Sequence, residues 1–231
     1  MVGVQDTDRI KITVQRIKKE IDRLKDVDVP LIEDKEEVVF KTTFPFDNYI
    51  ANNFDAIHSE FLQKTEQLYK FFESHPNNYI SDGEYEVNIG KYYTYPLYEN
   101  RKPKKWFKAM FPVTFELLSK TPEIINAAFV IAEADSGVAP HYGPKAEDPS
   151  WPCLRGQSII QSDNQSLLCQ LKDDKIYLKN QIEGDNFYFD DTDLHWNKNY
   201  SNNKRVVLLY DFVVNGHDKL KNNIYNLALH K

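Results

Sequence analysis

The sequence predicts a mostly β protein, an antiparallel sandwich or barrel preceded by helices. Three observations predict it. Short apolar runs bounded by turn residues follow one another closely from about residue 124 to residue 214. Tyr and Phe, at 14 each, favour strands and concave pockets. Ahead of the β-like runs, apolar residues recur at helical steps.

The first helical segment places Ile10, Val14, Ile17, Ile21 and Leu24 on a narrow stripe after the cap candidates Asp6, Thr7 and Asp8. It is read as an N-terminal helical extension over residues 1–42, packed on its own domain or forming a homodimer contact. Pro30 and the acidic run Glu33-Asp34-Lys35-Glu36-Glu37 mark a loop. Residues 43–231 form the main domain. It opens on a helix from Asp47 to Phe72, with Ile50, Phe54, Ile57, Phe61, Leu62, Leu68 and Phe71 on a broad apolar face, stopped by His75-Pro76-Asn77-Asn78. Glu84 to Leu97 reads as extended, and Trp106 to Lys120 as a helical insert. Strands follow at Ala127–Ala132, Leu154–Ile160, Leu167–Leu171, Lys175–Leu178, Phe187–Phe189 and Val206–Val214. The third and fourth are joined as a hairpin by Lys172-Asp173-Asp174.

Charge and composition narrow the function. A net charge of −6 argues against a nucleic-acid backbone or an anionic membrane as principal partner. No apolar run approaches the ~20 residues of a membrane span, and Met1 to Asp6 lack the features of a signal peptide. The expected location is the cytoplasm. Cys153 and Cys169 lack metal-binding spacing and read as buried small hydrophobes in a reducing compartment.

Of the six histidines, His58, His75, His217 and His230 sit in unremarkable contexts. His141 lies at the end of an apolar strand, in Pro140-His141-Tyr142-Gly143-Pro144. His195 closes Phe189-Asp190-Asp191-Thr192-Asp193-Leu194-His195, just after another short strand. Two strand-end imidazoles, 54 positions apart, can converge at the mouth of a barrel and suit iron(II). Arg205 follows His195 by ten residues, after the turn Tyr200-Ser201-Asn202-Asn203-Lys204. A guanidinium opening a buried strand needs an anion, and its planar fork fits a carboxylate. The distal carboxylate of 2-oxoglutarate is a natural candidate. Phe129, Ile131, Phe187, Phe189, Trp106 and Trp196 are candidate walls of a dry pocket. Asp190 and Asp191 are read as supporting the histidine rather than as metal ligands.

His141-Tyr142-Gly143-Pro144, the run Phe189 to His195, and Arg205-Val206-Val207-Leu208-Leu209-Tyr210-Asp211 resemble the aspartyl/asparaginyl β-hydroxylase family. So does the upstream stretch Phe44-Pro45-Phe46 with Asn53-Phe54-Asp55-Ala56-Ile57 and Glu60. The resemblance covers roughly residues 43 to 215. It implies a double-stranded β-helix of jelly-roll or cupin type. It also implies an iron(II)- and 2-oxoglutarate-dependent dioxygenase, with iron held by His141 and His195 alone and Gly143 where a third, carboxylate ligand usually stands. It implies that Arg205 binds the far carboxylate of 2-oxoglutarate, and that Arg155 meets an acidic group of the substrate. The sequence departs from the family in two places. Gln157 stands where the family often has a histidine near the cosubstrate, and His195-Trp196-Asn197-Lys198-Asn199 keeps only the final Asn of the usual run. These readings make His141, His195 and Arg205 the catalytic set. Gln157 joins Arg205 at the cosubstrate, and Arg155 and Trp106 meet the substrate, an amino-acid-like metabolite or peptide residue. Alternatives are a 2-oxoglutarate-dependent halogenase, with chloride beside Gly143, and a non-catalytic binding barrel.

Overall fold

The computed structural model describes residues 31–33, 45–74, 88–143, 153–172, 175–191 and 193–213. The N-terminal helical stripe, and any dimer contact it makes, lie outside the described residues, as do His75, His217 and His230. Within the run read as a loop, β1 (Leu31–Glu33) pairs parallel with β9 (Lys175–Asn180).

Two helices, α1 (Pro45–Asn52) and α2 (Phe54–Ser74), stand where the sequence predicts one. They join at Asn53, whose side-chain amide donates to the Tyr49 carbonyl at 2.8 Å. A side chain bonded back into the preceding turn competes with helix propagation, which accounts for the break. The helical insert is α3 (Lys105–Met110) and α4 (Pro112–Ser119), with Pro112 starting the second helix, where its missing N–H costs nothing.

The strands form two six-stranded sheets among the described residues. The major sheet runs in the order β10 (Asn186–Phe189), β7 (Cys153–Gln161), β12 (Arg205–Val213), β5 (Ile124–Ala132), β3 (Tyr92–Glu99) and β4 (Lys102–Pro103). The minor sheet runs β1, β9, β8 (Ser166–Lys172), β11 (Leu194–Asn199), β6 (Gly137–His141) and β2 (Asn88–Ile89). From β5 onward the chain alternates between sheets, interrupted only by the β8–β9 hairpin. That winding is a double-stranded β-helix, a jelly-roll. The apolar strand read as ending at His141 is β6, whereas sequence periodicity misses β11, which is short and carries His, Asn and Lys and so lacks the apolar signature of a strand.

The major sheet divides its residues by strict alternation. Val206, Leu208, Tyr210 and Phe212 of β12, with Phe129 and Ile131 of β5, face the helices and form one core with Ile57, Phe61, Leu68, Phe72, Phe107 and Phe111. Val207 faces the other way and packs between the sheets with Ile159, Leu168, Tyr177, Phe187 and Phe189. The polar residues of interest share this inner face. Among the described residues, no helix is long and apolar enough to cross a membrane.

The helical layer is fastened by a buried carboxylate. Glu60 accepts the N–H groups of Val113 and Thr114 at 2.7 and 2.8 Å, and the Thr114 hydroxyl at 2.8 Å. Those amides open α4, where the helix dipole favours negative charge. Glu60→Ala is expected to cost about 2 kcal/mol, the scale of charge-assisted bonds left unmade. Glu60→Gln should cost less. Urea unfolding of the three proteins checks this, and equal midpoints for Glu60→Ala and the parent would refute the cap.

Candidate active site

His141 ends β6, and His195 follows β10 as the second residue of β11. The two are directly opposed cross-strand partners, and their ring centroids are 4.3 Å apart. A register irregularity follows at once, between His195 and Asn197. Such bulges re-aim side chains beside functional sites. Each imidazole is held by the same device. His141 Nδ1 donates to the Ala139 carbonyl and His195 Nδ1 to the Asp193 carbonyl, both at 2.8 Å. A carbonyl only accepts, so each Nδ1 carries the proton and each Nε2 keeps its lone pair. That is the tautomer a metal ligand requires.

Burial reinforces it. The His141 pKa is pushed down to about 4, chiefly by desolvation and further by the nearby Arg155 charge. His195 is held well below its ordinary value by burial first and by His141 second. Both rings are therefore neutral at pH 7.

Asp191 explains Gly143. The Gly143 N–H donates to the Asp191 carbonyl at 2.7 Å. A Cβ on Gly143 would run into the Asp191 carboxylate and lie 2.6 Å from its carbonyl oxygen. The strand end therefore has no room for a ligating side chain. Among the described residues, no group of three His, Cys, Asp or Glu side chains could enclose a metal. The donor set is two neutral imidazoles, which suits iron(II) with positions left open.

Arg205 opens β12 and is 1% exposed. Its Nη1 donates to Gln181 Oε1 at 2.6 Å, and the Tyr92 hydroxyl also accepts from it, while its Nε has no hydrogen-bond partner among the described residues. Burial lowers its pKa, yet a guanidinium keeps its charge in proteins. Among the described residues, no carboxylate forms an ion pair with it. A buried cation without an anion fits a site that receives one. Gln157 joins the group, since its Oε1 accepts from Gln181 Nε2 at 2.7 Å.

The turn that returns the chain to Arg205 is locked by Asn199, fully buried. Its amide reaches the carbonyls of Ala132, Glu133 and Asn203, and its oxygen accepts from Ser166 and Ser201. This is the one residue of the run after His195 that matches the family pattern.

Arg155 does reach the histidines, but its guanidinium is already shared between carboxylates: Nη2 lies 3.1 Å from Asp191 and Nε 3.0 Å from Asp211. It is charge-paired where the sequence reading has it facing an anionic substrate. Trp106 is not at the site. It stacks on Phe71 and Phe72 and belongs to the core that covers the opposite, helix-facing side of the major sheet. Phe129 and Ile131 lie on that side too. Phe187 and Phe189 do line the inner space, with the Phe189 ring 5.1 Å from His195. Gln181 and Tyr92 carry no motif that singles them out, and only the fold reveals them.

The profile of the aspartyl/asparaginyl β-hydroxylase family matches residues 51–214. The chain belongs to that family. This membership makes it a hydroxylase by lineage, and its residues of interest all fall within the matched span. No curated protein matches the chain. Solved structures similar to this family member include a 2OG-Fe(II) oxygenase-family oxidoreductase from Burkholderia pseudomallei, at 11% identity and TM-score 0.46, covering 79% of this chain and 95% of that one. A Pseudomonas putida prolyl-4-hydroxylase gives 10% identity and TM-score 0.44 over 70% of this chain and 86% of that one. A predicted oxalate decarboxylase from Thermotoga maritima gives 12% identity and TM-score 0.38 over 59% and 93%.

Two outcomes test this site. The native histidines are neutral and reluctant to protonate, whereas unfolded ones titrate near 6.5. The unfolded chain binds more protons between about pH 6.5 and 4, so metal-free protein should lose stability as pH falls through that window. Comparing the slope with His141→Asn isolates the contribution, and an unchanged slope would refute it. Gly143→Ala should destabilise by about 1–3 kcal/mol through overpacking. Adding Asp191→Ala should recover only part of that, because the Asp191 carbonyl still blocks the Cβ. Denaturant titration of single and double variants measures both.

Proposed function

We propose that the protein is an iron(II)- and 2-oxoglutarate-dependent dioxygenase that hydroxylates an unactivated C–H bond. Its substrate is an amino-acid-like metabolite or a peptide residue. One observation carries the reading. A neutral imidazole pair, each ring with its proton held on Nδ1 by a backbone carbonyl, shares the interior of one jelly-roll with a buried guanidinium that no described carboxylate neutralises. The first suits a metal with open positions, and the second suits the remote carboxylate of a 2-oxo diacid.

His141 and His195 would hold iron(II), and Arg205 with Gln157 would hold the far end of 2-oxoglutarate. When bound, that metal and cosubstrate supply the oxidising chemistry, using O₂. The chain's own residues do the rest. The Ala139 and Asp193 carbonyls fix the tautomers. Phe187, Phe189, Ile159 and Val207 keep the inner space apolar and limit water. Asp191, Arg155 and Asp211 form a charge-paired wall beside the histidines, supported by the Asn126 amide donating to Asp211 at 3.1 Å.

Hydroxylation is favoured over halogenation by the same wall. The space beside Gly143 is taken by the Asp191 carboxylate and its Arg155 partner, so a chloride there would have to displace a buried ion pair. A silent barrel is disfavoured because a buried guanidinium without an anion would cost stability for no return.

Anaerobic protein given iron(II) and 2-oxoglutarate should show a weak visible charge-transfer band. His141→Ala and His195→Ala should each abolish it. Arg205→Met should weaken 2-oxoglutarate binding by about 100-fold, as expected for loss of a buried charge-assisted pair, while iron affinity stays. A band unaffected by either histidine substitution would refute the assignment.

A further inference from the structure

Gln181 has no place in the sequence motifs, yet it touches both residues assigned to the cosubstrate. It is 0% exposed and lies just past the end of β9, on the minor sheet, with its backbone N–H donating to the Ser166 carbonyl at 2.9 Å. Arg205 and Gln157 lie on the major sheet. Gln181 therefore bridges the two sheets across the interior.

The direction of its hydrogen bonds is forced. A guanidinium only donates, so Gln181 must turn its oxygen toward Arg205 Nη1, 2.6 Å away. Its NH₂ then points the other way and donates to Gln157 Oε1 at 2.7 Å. Gln157 uses one lone pair of its oxygen on Gln181 and turns its NH₂ away from it. Flipping either amide would set donor against donor. Among the described residues, the Arg205 Nε has no partner. The N–H groups at the two ends of the row are donors, and each amide oxygen between them already accepts from its neighbour.

We infer that Gln181 is a positioning residue that fixes the donor-only polarity of the Arg205–Gln181–Gln157 row, so that the pocket selects a ligand end that is a carboxylate and rejects its neutral amide. This rests on the proposed reading, in which that row holds the far carboxylate of 2-oxoglutarate. A carboxylate accepts from every donor present. A primary amide must bring its own NH₂ against donors, leaving buried groups unpaired, which discriminates strongly. The choice of Gln at 157 belongs to the same design, because an amide oriented by Gln181 supplies a donor without carrying a titrating proton.

The test uses the iron(II)-loaded protein without O₂, titrated with 2-oxoglutarate and with 2-oxoglutaramate, its amide-ended analogue, by calorimetry and by the charge-transfer band. The parent should prefer the acid by about 100-fold or more. In Gln181→Glu the new carboxylate pairs with Arg205 and takes the place of the ligand's anion. Affinity for 2-oxoglutarate should fall about 100-fold, and the acid-over-amide preference should collapse. Gln181→Met, which keeps volume and removes the amide, should lose about 10-fold and narrow the preference, and it serves if the charged variant folds poorly. Iron(II) affinity should be unchanged in both. In turnover, the effect should appear in KM for 2-oxoglutarate, with kcat nearly constant. A merely structural role would lower thermal stability and leave the acid-to-amide ratio where it was. A parental ratio and affinity in both variants overturns this inference alone. A parent that binds no 2-oxoglutarate overturns the function from which it starts.

Discussion

A guanidinium sealed inside a protein must be answered by an anion, and much of this interior is arranged around that demand. Arg205 is 1% exposed at the first residue of β12. It meets amide and phenol oxygens but no carboxylate from the described residues. The second arginine of the interior, Arg155, is treated in the opposite way, clasped by Asp191 and Asp211. Among the described residues, one interior arginine is thus paired with carboxylates and the other is not.

The jelly-roll puts the two halves of the site on different sheets. The imidazoles come from β6 and β11 of the minor sheet, and Arg205, Arg155 and Gln157 from β12 and β7 of the major sheet. Neither sheet holds all of these residues, so the distance between the imidazole pair and Arg205 is set by how the sheets pack. Ile159, Leu168, Tyr177, Phe187, Phe189 and Val207 hold that spacing from within. The helices hold the major sheet from behind, and Glu60 fastens them to each other. A cavity opened in the inner cluster would alter the anchor-to-metal distance as well as stability.

The parts of this arrangement that were legible in the sequence are those that rest on unusual residues in unusual contexts. A charged or ligating group beside an apolar run is costly without a purpose, which marks His141, His195 and Arg205 only weakly, and the family-like runs around them at matching spacing single them out. The long apolar strands β5, β7 and β12 were legible for the same reason that they are buried on both faces. What stayed hidden depends on pairing. The short strands that carry the histidines have no periodicity of their own and exist because neighbours on each side supply hydrogen bonds. Trp106 read as a pocket aromatic because sequence cannot say which side of a sheet a helix covers. Arg155 read as a free anchor because Asp191 and Asp211 are 36 and 56 positions away, and only the register brings them to it.

Gly143 and Asp191 show how a missing ligand becomes part of a fold rather than a gap in it. The glycine permits the connection before His195 to press against the end of β6, where its N–H bonds the Asp191 carbonyl. Once that contact is made, a side chain at 143 has nowhere to go. A carboxylate introduced there would have to displace a buried acid that already holds Arg155. The two-imidazole donor set is therefore not one substitution away from a three-ligand set. Changing it would require moving Gly143, Asp191 and Arg155 together, and the wall beside the histidines with them.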